Sequence, residues 1–173
     1  MKKTITRGQA VNMHAILGKM AFGHFNDSDL EKMMNNFDQL GKVAESYRSL
    51  GTELHKRLFD TETEEYKKFA PKADAAQRLE GMEKVKALLI IKEEFPELFA
   101  IFERQAQVDA NLRMKEVSVD LEEIDRKDFI KAIVKGRPDV EQNIFKLFEP
   151  MFIVEEQKEE VKEDFSELDE LLK

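Results

Sequence analysis

The sequence predicts a mainly α fold: a helical bundle organised on one long heptad-patterned helix, with a small antiparallel β ribbon as a minor element. Three observations carry this reading. Leu30, Met33, Phe37, Leu40, Ala44, Tyr47, Gly51, Leu54 and Leu58 are separated by alternating steps of three and four. That spacing stacks side chains on one face of a helix and is sustained over four heptads. Seven glycines and four prolines in 173 residues are few enough to leave long helices uninterrupted. At Val117 the period changes: Val117, Val119 and Leu121 alternate with Ser118 and Asp120, as a half-buried strand requires.

In chain order, Lys2 to Thr6 alternates weakly around Ile5 and suits a short edge strand. Thr6 with Gln9 forms a capping box, and Ala10, Met13, Leu17, Met20 and Ala21 supply the inner face of a first helix ending at Gly23. Ser28 with Glu31 is the capping box expected to start the long helix, whose seam Met34, Val43 and Leu50 broaden. Gly51 on that seam has two readings, close approach of a partner backbone or a local bend. A helical turn at Tyr66 and Phe69 is expected to stop before Pro71, because the residue preceding proline avoids the α region. From about Lys72 to Glu94 the spacing predicts one helix with Ala76, Leu79, Met82, Val85 and Leu89 facing inward and Leu88 to Ile91 buried on several sides.

Pro96 suits the first turn of the next helix, which Leu98, Ile101, Phe102, Val108 and Leu112 carry to about Lys115. Asp125 then opens a short helix closed by Gly136, and Pro138 and Asp139 start another with Val140, Ile144, Leu147 and Phe148 inward, stopping near Pro150. Met151 to Val154 is an apolar run of strand length, expected to pair with residues 117–121, Thr4 and Ile5 adding a third strand. Four principal helices result, with Phe37, Leu40, Leu54, Leu89, Phe102, Ile133 and Phe148 mostly buried. One composition shift, at residue 155, divides the chain into a helical domain, 1–154, and an acidic, mobile tail, 155–173.

Composition bounds the function. A charged fraction of 37% beside an apolar fraction of 42% describes a chain that folds and stays in solution. No apolar run approaches the roughly 18 residues of a membrane span, and no secretory leader is legible, which points to a cytoplasmic protein with no membrane role. The absence of cysteine excludes disulfides, thiolate metal sites and cysteine nucleophiles. Di-iron bundles need Glu three residues before His, but Val11, Ala21 and Thr52 precede His14, His24 and His55. The glycines never cluster as a phosphate loop requires, and there is no Gly-x-Ser-x-Gly elbow. His14 reads as a partly buried structural residue, His24 and His55 as surface residues. Nothing here argues for a catalytic residue, a cofactor, a metal or a small-molecule substrate.

Two charged features remain. Arg126, Lys127, Lys131, Lys135 and Arg137 stand against Asp128 alone, a local excess of basic charge that suits phosphate or an acidic partner. The plainer reading is the solvated face of an amphipathic helix carrying Phe129, Ile130 and Ile133. From Glu155 onward nine acidic residues oppose three lysines, so this tail holds −6 of the net −8. Its Phe165, Leu168 and Leu172, at helical spacing, make a segment able to fold against a partner, the plainer reading being a solvating tail. A nearly balanced body with an acidic tail argues against nucleic acid as the partner.

The segments ITRGQAVNMHAIL (5–17), VSVDLEEI (117–124) and FKLFEPMF (145–152), set around a long amphipathic helix and a short one, resemble a group of uncharacterised bacteriophage proteins. The resemblance lies in the layout of residues 4–154 and leaves the tail outside. It implies a phage accessory or assembly protein in a bacterial host and supplies no catalytic residues. The expected function is therefore a non-enzymatic interaction or assembly protein that works by helix packing, with a protein partner or with itself. The alternative is an acidic inhibitor or nucleic-acid mimic whose tail engages a basic host protein.

Overall fold

The computed structural model describes residues 1–154. Its elements are β1 (Lys2–Thr6), α1 (Arg7–Leu17), α2 (Asp27–Leu58), α3 (Glu64–Gln77), α4 (Gly81–Glu94), α5 (Pro96–Met114), β2 (Glu116–Asp120), α6 (Arg126–Gly136) and a 3-10 helix (Gln142–Met151). The fold is mainly α with one small antiparallel sheet, as the sequence predicts. Among the described residues there are six α-helices; α6 is the short helix expected from Asp125, and the additional one comes from the span 72–94, which divides between α3 and α4.

At about 1.5 Å per residue, the 32 residues of α2 run for about 48 Å. They connect two separate apolar clusters. Met33 and Leu40 belong to the first, with Met13 and Leu17 of α1, Val119 of β2, Phe129 and Ile133 of α6, and the aromatics Phe145, Phe148 and Phe152. The second cluster lies at the other end, where Phe59 meets Phe69 of α3, Ile91 of α4, and Phe95 and Phe99 at the start of α5. α5 returns antiparallel to α2, His55 facing Gln105 and Tyr47 facing Asp109. Between the clusters this helix pair meets through polar side chains.

Local chemistry sets most boundaries. Thr6 caps α1, its hydroxyl accepting from the Gln9 amide at 3.1 Å. Pro96 occupies the first turn of α5, and the Asp125 carboxylate accepts from the Lys127 and Asp128 amides to open α6. The expected Ser28–Glu31 box is not the start of α2. Asn26 is the cap, accepting from the Asp29 amide at 2.8 Å while its own amide donates to the Asp29 carboxylate at 2.7 Å. That reciprocal pair satisfies the helix start two residues earlier. α1 ends at Gly18 rather than Gly23, leaving Met20 half-buried and Ala21 exposed. The chain between α1 and α2 turns so that Phe22 and Phe25 pack on the first cluster.

Of the two segments expected beside residues 117–121, only the N-terminal one forms a strand. β2 pairs with β1, with Ile5 opposite Val117 and Lys2 opposite Asp120. Met151 to Val154 supplies no strand to it; Phe152 makes an isolated parallel bridge to Ile124, whose amide donates to the Met151 carbonyl at 2.9 Å. β1 leads directly into α1, and the Arg7 amide continues onto the Lys115 carbonyl at 2.8 Å, so the N-terminal segment pairs along the whole of one edge of β2. α6 and the 3-10 helix form a long connection that brings residues 151–153 back in the parallel sense, as connections of this length permit. The segment expected to be a helix from Pro138 forms the 3-10 helix, with Pro150 inside it.

The span from Lys72 to Glu94 is two helices. α3 starts at Glu64, capped by Thr63, and continues through Pro71 because Phe69, Ala73 and Ala76 all gain burial in the second cluster. It ends at Arg78, and Gly81 at φ +56° takes the left-handed conformation that starts the chain in a new direction.

The expected core splits accordingly. Leu40, Ile133 and Phe148 are buried; Phe37, Leu54 and Phe102 are half-buried; Leu89 is exposed. At Gly51 α2 continues as helix, and a Cβ there would meet nothing of this chain within 4 Å. Gly51→Ala should therefore raise stability by about 0.5–1 kcal/mol, removing the backbone-entropy penalty of a helix-interior glycine. A thermal melt that falls instead would show that something packs closely at this site.

Candidate interaction surfaces

α4 is apolar around most of its circumference, and only one side finds neighbours. Ile91 is buried, and Ala87 and Leu88 are half-buried against α3 and α5. The opposite side carries Met82, Val85, Leu89 and Ile90, which are 68, 47, 55 and 61% exposed. Burying one such side chain gains about 1.5–3 kcal/mol, so the four form an exposed apolar row rather than a scatter of single residues, which makes this face a candidate contact surface. This corrects the expectation that Leu79, Met82, Val85 and Leu89 face inward and that Leu88 to Ile91 is buried on several sides. The physical reason is the break at Gly81: separated from α3, α4 rotates about its own axis and offers the second cluster the Ile91 edge. The sequence did hold a signal, since a small three-helix cluster cannot cover a helix that is apolar all round.

The basic residues of α6 divide between an exposed ridge and two ion pairs. Lys127, Lys131 and Lys135, four residues apart, form an exposed ridge opposite the buried Phe129, Ala132 and Ile133. Arg126 turns away to Glu149 at 3.4 Å and lies 5.9 Å from the centroid of the Phe152 ring, and Arg137 pairs with Asp139 at 3.8 Å. Lys131 and Lys135 line a depression of about 300 Å³ with His24 and Phe25, where Asp29 and Asp128 also stand. Carboxylates thus interleave the whole basic stretch. The other expected partner-binding residues, Phe165, Leu168 and Leu172, lie outside the described residues.

The polar junction between α2 and α5 holds the remaining titratable groups of interest. The Tyr47 hydroxyl donates to Asp109, and Arg113 lies 5.7 Å from the Tyr47 ring while donating to Asn12 at 3.0 Å. Burial first, and the Asp109 hydrogen bond second, hold the Tyr47 pKa above its ordinary value. His55, expected at the surface, is half-buried: its Nε2 meets the Tyr66 hydroxyl at 2.5 Å, and its Nδ1 faces the Gln105 amide at 3.3 Å. Burial, with Asp74 nearby, raises Tyr66 as well. Beside this network a cleft of about 350 Å³ is lined by Gly51, Leu54, Gln77, Phe102 and Asp109. His55 has both ring nitrogens engaged by protein, which leaves it no lone pair or proton directed at a ligand. His14 stacks on Phe37 at 4.5 Å, in the structural place expected of it.

Among the described residues no buried side-chain polar atom lacks a hydrogen-bond partner, and no three His, Asp or Glu side chains converge as a metal site. Also among these residues, no helix is long and apolar enough to cross a membrane. In comparisons with known proteins, no family model, no curated sequence and no solved structure matches this chain.

Proposed function

We propose that this chain is a non-enzymatic interaction protein that assembles through helix packing, with the outward face of α4 as its contact element. The observation that carries the reading is the exposed row Met82, Val85, Leu89 and Ile90 on a helix whose other edge is anchored in the core. Methionine at its end suits such a surface, because an unbranched thioether adapts to irregular partners. The buried polar side chains support the same reading: among the described residues each has a hydrogen-bond partner within the protein, as in a scaffold. The resemblance in layout to small phage proteins gives the setting, an accessory protein acting in the cytoplasm of a bacterial host.

The experiment is a photo-reactive amino acid placed at Leu89 in the full chain expressed in cells, with Lys56 on the exposed side of α2 as control. A discrete adduct to one protein species from position 89, and none from position 56, is the expected result. No adduct from position 89 would remove α4 as the contact.

A second reading rests on the −6 carried by residues 155–173: an acidic inhibitor that presents carboxylates to a basic host protein. Binding would then weaken steeply with salt and vanish on deleting residues 155–173. Binding that survives the deletion leaves the α4 reading alone.

A further inference from the structure

The same α4 surface carries charges whose placement names its partner. Met82, Lys86 and Glu93 lie along one line of the helix, spaced by four and then seven residues. Leu89 and Ile90 stand on either side of that line, midway between the lysine and the glutamate. All five side chains are exposed. Of the other charges on α4, Glu94 pairs with Lys72 of α3, the Lys92 ammonium sits 5.7 Å from the centroid of the Phe99 ring, and the exposed Glu83 lies to one side of the line, next to Ile90. Among the described residues, Lys86 and Glu93 have no salt-bridge partner.

A helix face with a cation toward one end, an anion toward the other and aliphatic side chains between them is complementary to itself when reversed. Two copies of α4 laid antiparallel, with a twofold axis between Leu89 and Ile90, set Lys86 of each opposite Glu93 of the other. Leu89 of each then meets Ile90 of the other at the axis. This is the isologous geometry of a cyclic dimer, where one patch serves both sides. A parallel pairing would put lysine on lysine and glutamate on glutamate, and a carboxylate-rich or a lysine-rich partner would satisfy only one of the two charges.

We infer that the partner of the α4 face is a second copy of this chain, docked antiparallel through Leu89 and Ile90 with crossed Lys86–Glu93 ion pairs. The inference rests on the proposed reading of α4 as the contact element and gives that element its partner and geometry. One helix face is small against the ~800 Å² per partner of a standard stable interface. The dimer is accordingly reversible, and the aliphatic contacts supply most of its affinity while the ion pairs select its orientation.

Sedimentation equilibrium of the full chain over a wide concentration range tests this. Wild type should show a reversible monomer–dimer equilibrium. Lys86→Glu and Glu93→Lys should each weaken it by about tenfold or more, since each homodimer then faces two like-charge pairs. An equimolar mixture of the two single variants should recover the dimer as a heterodimer, because both crossed pairs are then of opposite sign. The double variant K86E/E93K should recover it as a homodimer. Both positions are exposed, so circular dichroism melts of the monomeric variants should match wild type. A wild-type chain monomeric at every concentration, a dimer indifferent to the single reversals, or a mixture that fails to recover would each overturn the inference. In any of those cases, an adduct from position 89 to a different protein would leave α4 a contact element with another partner.

Discussion

Phe129→Ala should remove about 3–5 kcal/mol of stability, the range for deleting a fully buried aromatic ring. Phe129 is inaccessible to solvent and is the hub of the first cluster. Its ring centroid lies 5.2 Å from that of Phe152, 5.4 Å from Phe148, 5.8 Å from Phe25 and 6.1 Å from Phe145. Those four rings come from the segment before α2, from the 3-10 helix and from the end of the described chain. One side chain therefore holds α6 against three otherwise weakly regular pieces. With domain stabilities near 5–15 kcal/mol, such a loss approaches global unfolding. Urea titration reads it as a lowered midpoint at unchanged slope. A loss below about 1 kcal/mol would mean that the cluster collapses around the missing ring, and that the four segments are held by something else.

Asn36→Leu is expected to cost roughly 2–5 kcal/mol although it keeps the branching and heavy-atom count of the side chain and adds apolar character. Asn36 is fully buried on α2, and its side chain reproduces a backbone partner for Glu122: its amide donates to the Glu122 carbonyl at 2.9 Å, and its oxygen accepts from the Glu122 N–H at 2.7 Å. Leucine would leave the N–H and C=O of the half-buried Glu122 without their partners, each costing about 1–3 kcal/mol where water cannot reach it. The pair also ties α2 to the chain leaving β2, so the expected signature is local as well as global. Hydrogen exchange at the Glu122 amide, slow in wild type, should become fast in the variant. A variant as stable as wild type, with that amide still protected, would show water replacing the asparagine and would remove it as a structural tie.

Asn36 also shows the limit of what spacing reveals. The heptad seam of α2 was legible because a long helix must present one apolar face to its neighbours, and Met33, Leu40 and Ala44 are buried as that rule requires. Asn36, between them, is a polar residue that the spacing does not single out. It is interior because a peptide group 86 residues further along the chain needs two hydrogen bonds there. The β pairing was legible in part. Alternation in residues 117–121 identified a strand and Thr4 and Ile5 do pair beside it, but only the three-dimensional path left 151–154 with a single bridge to Ile124.

The interaction surfaces divide along the same line. The basic stretch of α6 was visible as charge, yet whether its members act together depended on where Glu149 and Asp139 fall in space. Lys127, Lys131 and Lys135 form a ridge; Arg126 and Arg137 are diverted to carboxylates. For α4 the sequence announced hydrophobicity and spacing, and from these the natural inference was a core helix. The side that a helix buries is a property of its neighbours, since hydrophobic attraction is non-directional and any apolar edge satisfies it. The turn at Gly81 and the size of the three-helix cluster chose the Ile91 edge and left Met82, Val85, Leu89 and Ile90 outward.

What the sequence determined by itself was therefore local: helix content, the caps at Thr6 and Asp125, the role of Pro96, and the change of period at Val117. Each follows from the dihedral, capping and spacing preferences of neighbouring residues. What the tertiary structure decided was pairwise: which strand meets which, which asparagine is interior, and which side of α4 remains open. Those outcomes depend on contacts between residues far apart in the chain, where many apolar partners are nearly equivalent and geometry makes the choice.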